Sequence, residues 1–150
     1  MKRLVQTLAT WIVIALGAPA IAQGGPTVRA SAGEVLGTAA GGVHIFRGIP
    51  YARAPLGQLR WRPPVPMPRW RDVRDAGQFG AACMQPASPF LEYSAMSEDC
   101  LFLNVWTPAN AHHAPVLVWF HGGSLLNGSG SDPIFDGSRL AERGVIVVSV

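Results

Sequence analysis

Residues 116–129 read VLVWFHGGSLLNGS, a run of five apolar residues that ends abruptly in a glycine-rich turn. A second apolar run, GVIVVSV, occupies residues 144–150. A short helix over Ser138–Arg143, stopped by Gly144, is predicted between them. Continuous apolar runs of this length are typical of strands buried on both faces. Two such strands joined by a crossover predict a parallel pair in an α/β sheet.

The chain before this pair has three regions of different character. Prolines, which remove backbone donors and block helix formation, make residues 47–90 an irregular segment. Leu101–Trp106 is predicted to be a strand that ends at Thr107 and Pro108. A small antiparallel meander is predicted from three β-prone pieces separated by glycine-containing turns, Thr27–Ala30, Val35–Thr38 and Val43–Phe46. Since doubly covered strands need more neighbours than these residues supply, we expect residues 23–150 to be the front part of a larger α/β domain.

Residues 1–22 have the features of a cleavable secretion signal. A basic start precedes an apolar stretch over residues 8–16, Pro19 breaks that stretch, and residues 20–22 form a small-x-small cleavage site. The alternative is a permanent membrane anchor, but the apolar stretch is too short to span a bilayer. We therefore expect cleavage after Ala22, a secreted or periplasmic protein, and no stable membrane anchor.

The composition excludes several classes of protein. With 49% hydrophobic and 14% charged residues, 17 Gly and 13 Pro, the chain is neither disordered nor collagen-like. The formal net charge is +3, and loss of the signal would leave ten bases against nine acids. Nucleic-acid binding needs a clear excess of positive charge, so no nucleic-acid partner is expected. The Arg-Trp-Arg repeats at residues 60–62 and 69–71 are interpreted as structural, with their arginines in ion pairs with acidic residues.

The glycine-rich turn is the predicted functional site. A strand that runs into glycines at the edge of a sheet exposes backbone N–H groups, which can stabilise an oxyanion without reorganising. A phosphate-binding loop is one alternative: Gly123 and Gly128 have the required spacing, but Ser129 stands where lysine is needed. A purely structural turn is the other. No metal site is predicted, because His112 and His113 have no clustered carboxylate or thiol.

Four segments of the sequence form a recognisable set: FRGIPYARAPLGQLRWRPPVP from Phe46, SEDCLFLNVWTP from Ser97, VLVWFHGGS from Val116 and GVIVVSV from Gly144. In these segments, their order and their spacing, the chain resembles the type-B carboxylesterase/cholinesterase family of α/β-hydrolases from about residue 27 onward. The resemblance implies the N-terminal part of an α/β-hydrolase fold. It also implies a serine carboxylesterase that acts on a small-molecule ester without a metal or organic cofactor.

The resemblance assigns roles to individual residues of the turn. The backbone amides of Gly123 and Ser124 match the family's two oxyanion donors, with Gly122 as loop support. Ser124 stands where the family usually has a third glycine, so its side chain is expected to crowd the acyl pocket. His121 matches the position that opens the turn, and we expect it to be structural rather than the catalytic histidine.

Two further pairs are expected to be structural. An exported chain with two cysteines favours a disulfide between Cys83 and Cys100, the alternative being two buried free thiols. The same cysteines match the family's first disulfide. Arg60 and Glu98 match a structural ion pair, which we expect to be buried and to pin the irregular segment.

The 150-residue sequence contains no counterpart of the family's catalytic triad. The family nucleophile lies in a G-x-S-x-G motif, which the sequence does not contain: Ser129 is flanked by two glycines, but the outer positions are Asn127 and Ser131. We therefore expect this chain to supply an oxyanion loop and to be inactive alone. Two alternatives stay open, a catalytically inactive binding or adhesion module of the same fold and a truncated product that never folds.

Overall fold

The computed structural model describes residues 24–89 and 95–150. The predicted signal over residues 1–22 lies outside the described residues. Two short 3-10 turns, Gly57–Leu59 and Pro133–Phe135, accompany one α-helix, α1 (Ser138–Ala141). The strands in chain order are β1 (Thr27–Arg29), β2 (Glu34–Leu36), β3 (Thr38–Ala40), β4 (Val43–Pro50), β5 (Arg74–Asp75), β6 (Ala82–Cys83), β7 (Met96–Ser97), β8 (Phe102–Pro108), β9 (Val116–Trp119) and β10 (Ile146–Ser149).

The main sheet has five strands in the order β3-β4-β8-β10-β9. β4 pairs with β8 and β8 pairs with β10, both antiparallel. β10 lies parallel to β9, with Ile146 opposite Val116 and Ser149 opposite Trp119. The predicted parallel pair is therefore present, and the segment between its strands contains α1, which ends before Gly144 as expected. Gly144 has φ 93°, a left-handed conformation that glycine adopts without strain.

The N-terminal β-prone pieces form two hairpins rather than one meander. β1 and β2 pair antiparallel, and β5 adds to β2 in parallel. β3 and β4 form the second hairpin, and β4 runs on to Pro50 as a strand of the main sheet. Gly37 lies at the break between β2 and β3, where a side chain would overlap the ring of Phe46. The third piece is thus longer than predicted, and it is the strand that connects the N-terminal hairpins to the sheet.

The core lies where β4, β8 and β10 meet α1. Trp106 on β8 is fully buried, and around it pack Val43, Ile45, Val147 and Ala141. A second cluster lies between β4 and the β1–β2–β5 sheet and contains Val35, Phe46 and Ala76. Burial of large apolar side chains of this kind contributes about 2 kcal/mol each, so these two clusters hold the sheet in place.

The expectation that the first apolar run is buried on both faces is wrong for the described residues. All four residues of β9 are exposed, with Val116 at 60% and Trp119 at 43%. The reason is the position of β9: among the strands that the structure describes, it is the outer strand of the sheet and pairs with β10 alone. The ring of Phe135 is the aromatic partner of Trp119, at a centroid distance of 5.7 Å.

The proline-rich segment is ordered by hydrogen bonds within itself and with the first hairpin. Arg53 donates its amide to the carbonyl of Val65 at 2.9 Å. The Trp70 indole donates to the carbonyl of Glu34 at 2.9 Å. Over the described ranges, none of the helices has the length and apolar character needed to cross a bilayer.

Candidate active site

The turn after β9 begins with an open front half, residues 120–126. Gly123, Ser124 and Leu125 all have positive φ, at 121°, 55° and 61°. The carbonyl of Gly123 accepts hydrogen bonds from the amides of Leu126 at 2.9 Å and Asn127 at 3.2 Å. A methyl group on Gly123 would overlap the carbonyl of Asn127, so the tight turn requires glycine at this position.

The amides of Gly123 and Ser124 take no part in the hydrogen-bond network of the described residues. Neither amide donates to any residue that the structure describes. Ser124 and Leu125 are exposed, the latter completely. Backbone donors without a protein partner are satisfied by water or by a ligand, and two adjacent ones suit a negatively charged oxygen.

In the back half of the turn, residues 128–132, every residue except Gly130 is buried. Gln85 holds Gly128 from both sides: its Nε2 donates to the Gly128 carbonyl at 2.9 Å, and its Oε1 accepts from the Gly128 amide at 2.7 Å. The hydroxyls of Ser129 and Ser131 are 2.7 Å apart. Asp132 accepts from the amide of Ile134 at 3.1 Å, which caps the 3-10 turn that follows.

A buried polar network fixes Gly130 to the sheet. Asn104 on β8 donates to the carbonyl of Gly130 at 3.2 Å and to the Ser149 hydroxyl at 3.0 Å. Ser149 on β10 also donates to Gly130 at 2.9 Å, and Asn104 accepts from the amide of Gly48 at 3.0 Å. The sequence analysis missed Asn104, Ser149 and Gln85. A signal for the first two was present, because each is a polar residue within a mainly apolar strand.

His121 forms a hydrogen bond within the turn that it opens. Its Nδ1 lies 2.7 Å from the carbonyl oxygen of Gly122. Because a carbonyl only accepts, Nδ1 carries the proton of this bond. The rings of His112 and His113 contact each other edge to face at 4.3 Å, and the described residues contain no group of three side chains able to hold a metal ion.

The two predicted structural pairs are brought together. Cys83 and Cys100 are joined by a disulfide bond, with Cα atoms 4.9 Å apart. Arg60 Nη2 lies 3.1 Å from Glu98 Oε1. The side chains of this ion pair are 51% and 44% exposed, so it is not buried as the resemblance implied. Water screens such a pair, and its contribution to stability is correspondingly small.

A cavity of about 350 Å³ lies between the disulfide and the turn. Tyr51, Phe120, His121, Leu125 and Ser129 are among the residues that line it, whereas Gly123 and Ser124 are not. Burial raises the pKa of Tyr51 above the usual value of a phenol. The Tyr51 hydroxyl is therefore neutral at physiological pH and can donate or accept a hydrogen bond at the cavity wall.

Comparisons with known proteins agree with this architecture. The model of the carboxylesterase family matches residues 24–150. The chain is 45% identical over 121 residues to para-nitrobenzyl esterase of Bacillus subtilis (strain 168), covering 77% of the chain and 25% of that protein. It is 40% identical over 147 residues to acetylcholinesterase of Electrophorus electricus, covering 85% and 23%.

A solved structure of a PNB esterase superposes with a TM-score of 0.77 at 46% identity, covering 81% of the chain and 26% of that structure. The chain thus spans about a quarter of the length of these relatives. The likeness identifies the hairpins, the irregular segment and the main sheet as the N-terminal part of an α/β-hydrolase fold. By the match over residues 24–150, the chain belongs to the carboxylesterase family.

Proposed function

We propose that the protein containing this chain is an exported serine carboxylesterase, and that residues 120–131 supply its oxyanion loop. The observation that carries the proposal is the pair of backbone amides at Gly123 and Ser124, which donate to no described residue. They follow β9 in a chain that the carboxylesterase family model matches, and fixed backbone donors of this kind can stabilise an oxyanion, which supports the proposal.

The reaction would proceed by acyl transfer. A serine outside these residues attacks the ester carbonyl, the π electron pair moves onto the carbonyl oxygen, and a histidine takes the serine proton. The tetrahedral oxyanion accepts hydrogen bonds from the amides of Gly123 and Ser124. The histidine then protonates the departing alcohol, and water repeats the sequence to release the acid. Each oxyanion donor contributes about 3 kcal/mol to lowering the barrier.

Ser124 distinguishes this loop from one with three consecutive glycines. The substitution keeps the amide donor but adds a hydroxymethyl group beside it. We propose that this side chain narrows the space for the acyl group. Hydrolases named for small-molecule esters, such as para-nitrobenzyl esterase, support an ester of that class as the substrate.

Export is the second part of the proposal. The Cys83–Cys100 disulfide is the kind of bond that persists in oxidising compartments. The disulfide therefore supports the secretion signal that we propose over residues 1–22, with cleavage after Ala22.

The experiment is an esterase assay on two proteins. The full-length product of the reading frame should hydrolyse p-nitrophenyl esters, and a serine-directed organophosphate should abolish the turnover. The 150-residue chain alone should show no organophosphate-sensitive turnover. A folded full-length protein without turnover would overturn the proposal in favour of a binding or adhesion module. Turnover that resists the organophosphate would overturn the serine mechanism.

A further inference from the structure

Gln85 makes an unusually complete set of hydrogen bonds with the main chain. Its carboxamide donates to the carbonyl of Gly128 and accepts from the amide of the same residue, at 2.9 and 2.7 Å. Nε2 also donates to the carbonyl of Cys83 at 3.0 Å, so both N–H groups of the carboxamide are used. A flipped carboxamide would oppose donor to donor and acceptor to acceptor at Gly128, so the orientation is determined.

Gly128 in turn packs directly against the start of the loop. A methyl group on Gly128 would overlap the His121 ring and the carbonyl of Gly122. Gly123 is packed in the same way against the carbonyl of Asn127. Residues 127–128 therefore form the surface on which residues 121–123 rest, and a displacement of Gly128 displaces the amides that follow Gly122.

The front half has few other restraints. Within the described part of the chain, the hydrogen bonds of residues 120–126 are those accepted by the carbonyls of Gly122 and Gly123. The side chains of Leu125 and Leu126 are exposed and add little packing. Gln85 is held from outside the loop, because it follows Cys83 by two residues and Cys83 is tied to Cys100. The position of the front half is thus set largely through Gly128.

We propose that Gln85 is a positioning residue for the oxyanion loop: its two hydrogen bonds to Gly128 hold the surface that aims the amides of Gly123 and Ser124. The inference rests on the proposed function, because it assigns Gln85 a role in the same site. Gln85 touches no reacting atom in this account. It acts on the reaction only through the loop.

The test uses the full-length protein with Gln85→Glu and Gln85→Ala, and Gln58→Ala as the matched control. Gln58 is an exposed glutamine of the first 3-10 turn, and its side chain bonds to no described residue. Gln85→Glu keeps the size and an acceptor but sets a carboxylate oxygen against the Gly128 carbonyl. Misplacement of catalytic groups by about 1 Å costs up to about a hundredfold in rate.

We expect kcat of both Gln85 variants to fall by about ten- to a hundredfold, with KM changed by less than about threefold, because oxyanion contacts form only in the transition state. Gln58→Ala should match the wild type. The kcat of Gln85→Glu relative to wild type should recover as the pH falls towards about 4.3, where the introduced carboxyl takes up a proton and regains a donor. A residue that only stabilises the fold would lower the thermal midpoint without changing kcat per folded molecule.

An unchanged kcat in folded Gln85→Glu overturns the inference. If Gln85→Ala does not fold, the result for the isosteric Gln85→Glu variant is the one that counts. Hydrogen–deuterium exchange over residues 121–128 provides a readout independent of activity. Faster exchange in Gln85→Glu than in wild type supports the positioning role, and equal exchange overturns it. If the wild type has no esterase activity, the proposed function fails, while the exchange result still decides the role of Gln85.

Discussion

The two halves of the glycine-rich turn differ in almost every physical respect. In the front half, residues 120–126, two non-glycine residues have positive φ, Leu125 is fully exposed and two adjacent amides have no partner among the described residues. In the back half, residues 128–132, Ser129, Ser131 and Asp132 are at most 9% exposed, and Gly128 and Gly130 are held by side chains from other elements. The back half is thus buried and hydrogen-bonded to other parts of the chain, whereas the front half is the part in which we propose that the substrate oxyanion binds.

This contrast indicates how a strained loop can keep a defined shape. Left-handed backbone at a non-glycine residue costs about 1–2 kcal/mol and persists only where the surroundings impose it. Here the surroundings are the back half and the side chains of Gln85, Asn104 and Ser149. In the proposed oxyanion loop, the position of the front-half amides would therefore depend on contacts made in the back half.

The largest effect is expected for Gly128→Ala. Its φ of 121° disfavours a side chain, and the new methyl would overlap the His121 ring and the Gly122 carbonyl. We expect a loss of about 4 kcal/mol in the free energy of unfolding, from strain and overpacking together, and a lower thermal midpoint.

The matched control is Gly42→Ala in the β3–β4 turn. Gly42 also has positive φ, 78°, but an added methyl would meet no atom within 4 Å. Its cost should be about 1 kcal/mol, from backbone strain alone. Equal costs for the two variants would show that the back half is not tightly packed.

The next effect is expected for removal of the disulfide by Cys83→Ser with Cys100→Ser. The bond spans 17 residues, and its loss should lower the free energy of unfolding by about 3 kcal/mol. The measurement is a denaturant titration of the variant beside the wild type with and without reductant. If reductant does not change the free energy of unfolding of the wild type, and the double variant has the same value, the disulfide does not stabilise this region.

A smaller effect of opposite sign is expected in the front half for Ser124→Gly. Ser124 has φ 55°, so glycine should relieve strain and raise the free energy of unfolding by about 1 kcal/mol. Because the amide remains, kcat should be retained. Ser124→Ala is the control, since it removes the hydroxyl but keeps the strain. A destabilised Ser124→Gly variant would contradict the assigned left-handed conformation.

The smallest effect is expected for the ion pair outside the turn. Both partners are about half exposed, so Glu98→Gln should change the free energy of unfolding by no more than about 0.5 kcal/mol. Arg60→Gln should behave in the same way. A loss above about 2 kcal/mol in either variant would show that the pair is buried in the complete protein.

The parts of the fold that could be predicted from sequence are those coded locally. The apolar runs of β9 and β10 indicated adjacent parallel strands, and the glycines indicated where the turn begins. The exposure of β9 could not be predicted, because apolar content shows that a strand is suited to burial but not which neighbours cover it. The Gln85–Gly128 contact joins residues 43 positions apart, and a glutamine in an irregular segment carries no sign of its partner.

The most direct test of the central claim deletes a single backbone donor. In the full-length protein, replacing Ser124 by its α-hydroxy acid analogue turns the amide into an ester and leaves the side chain in place. The same replacement at Asn110, an exposed turn residue whose amide bonds to no described residue, is the control. We predict that kcat falls by about a hundredfold or more at position 124, with KM nearly unchanged and the control unaffected. An unchanged kcat at position 124 would contradict the assignment of this amide as an oxyanion donor.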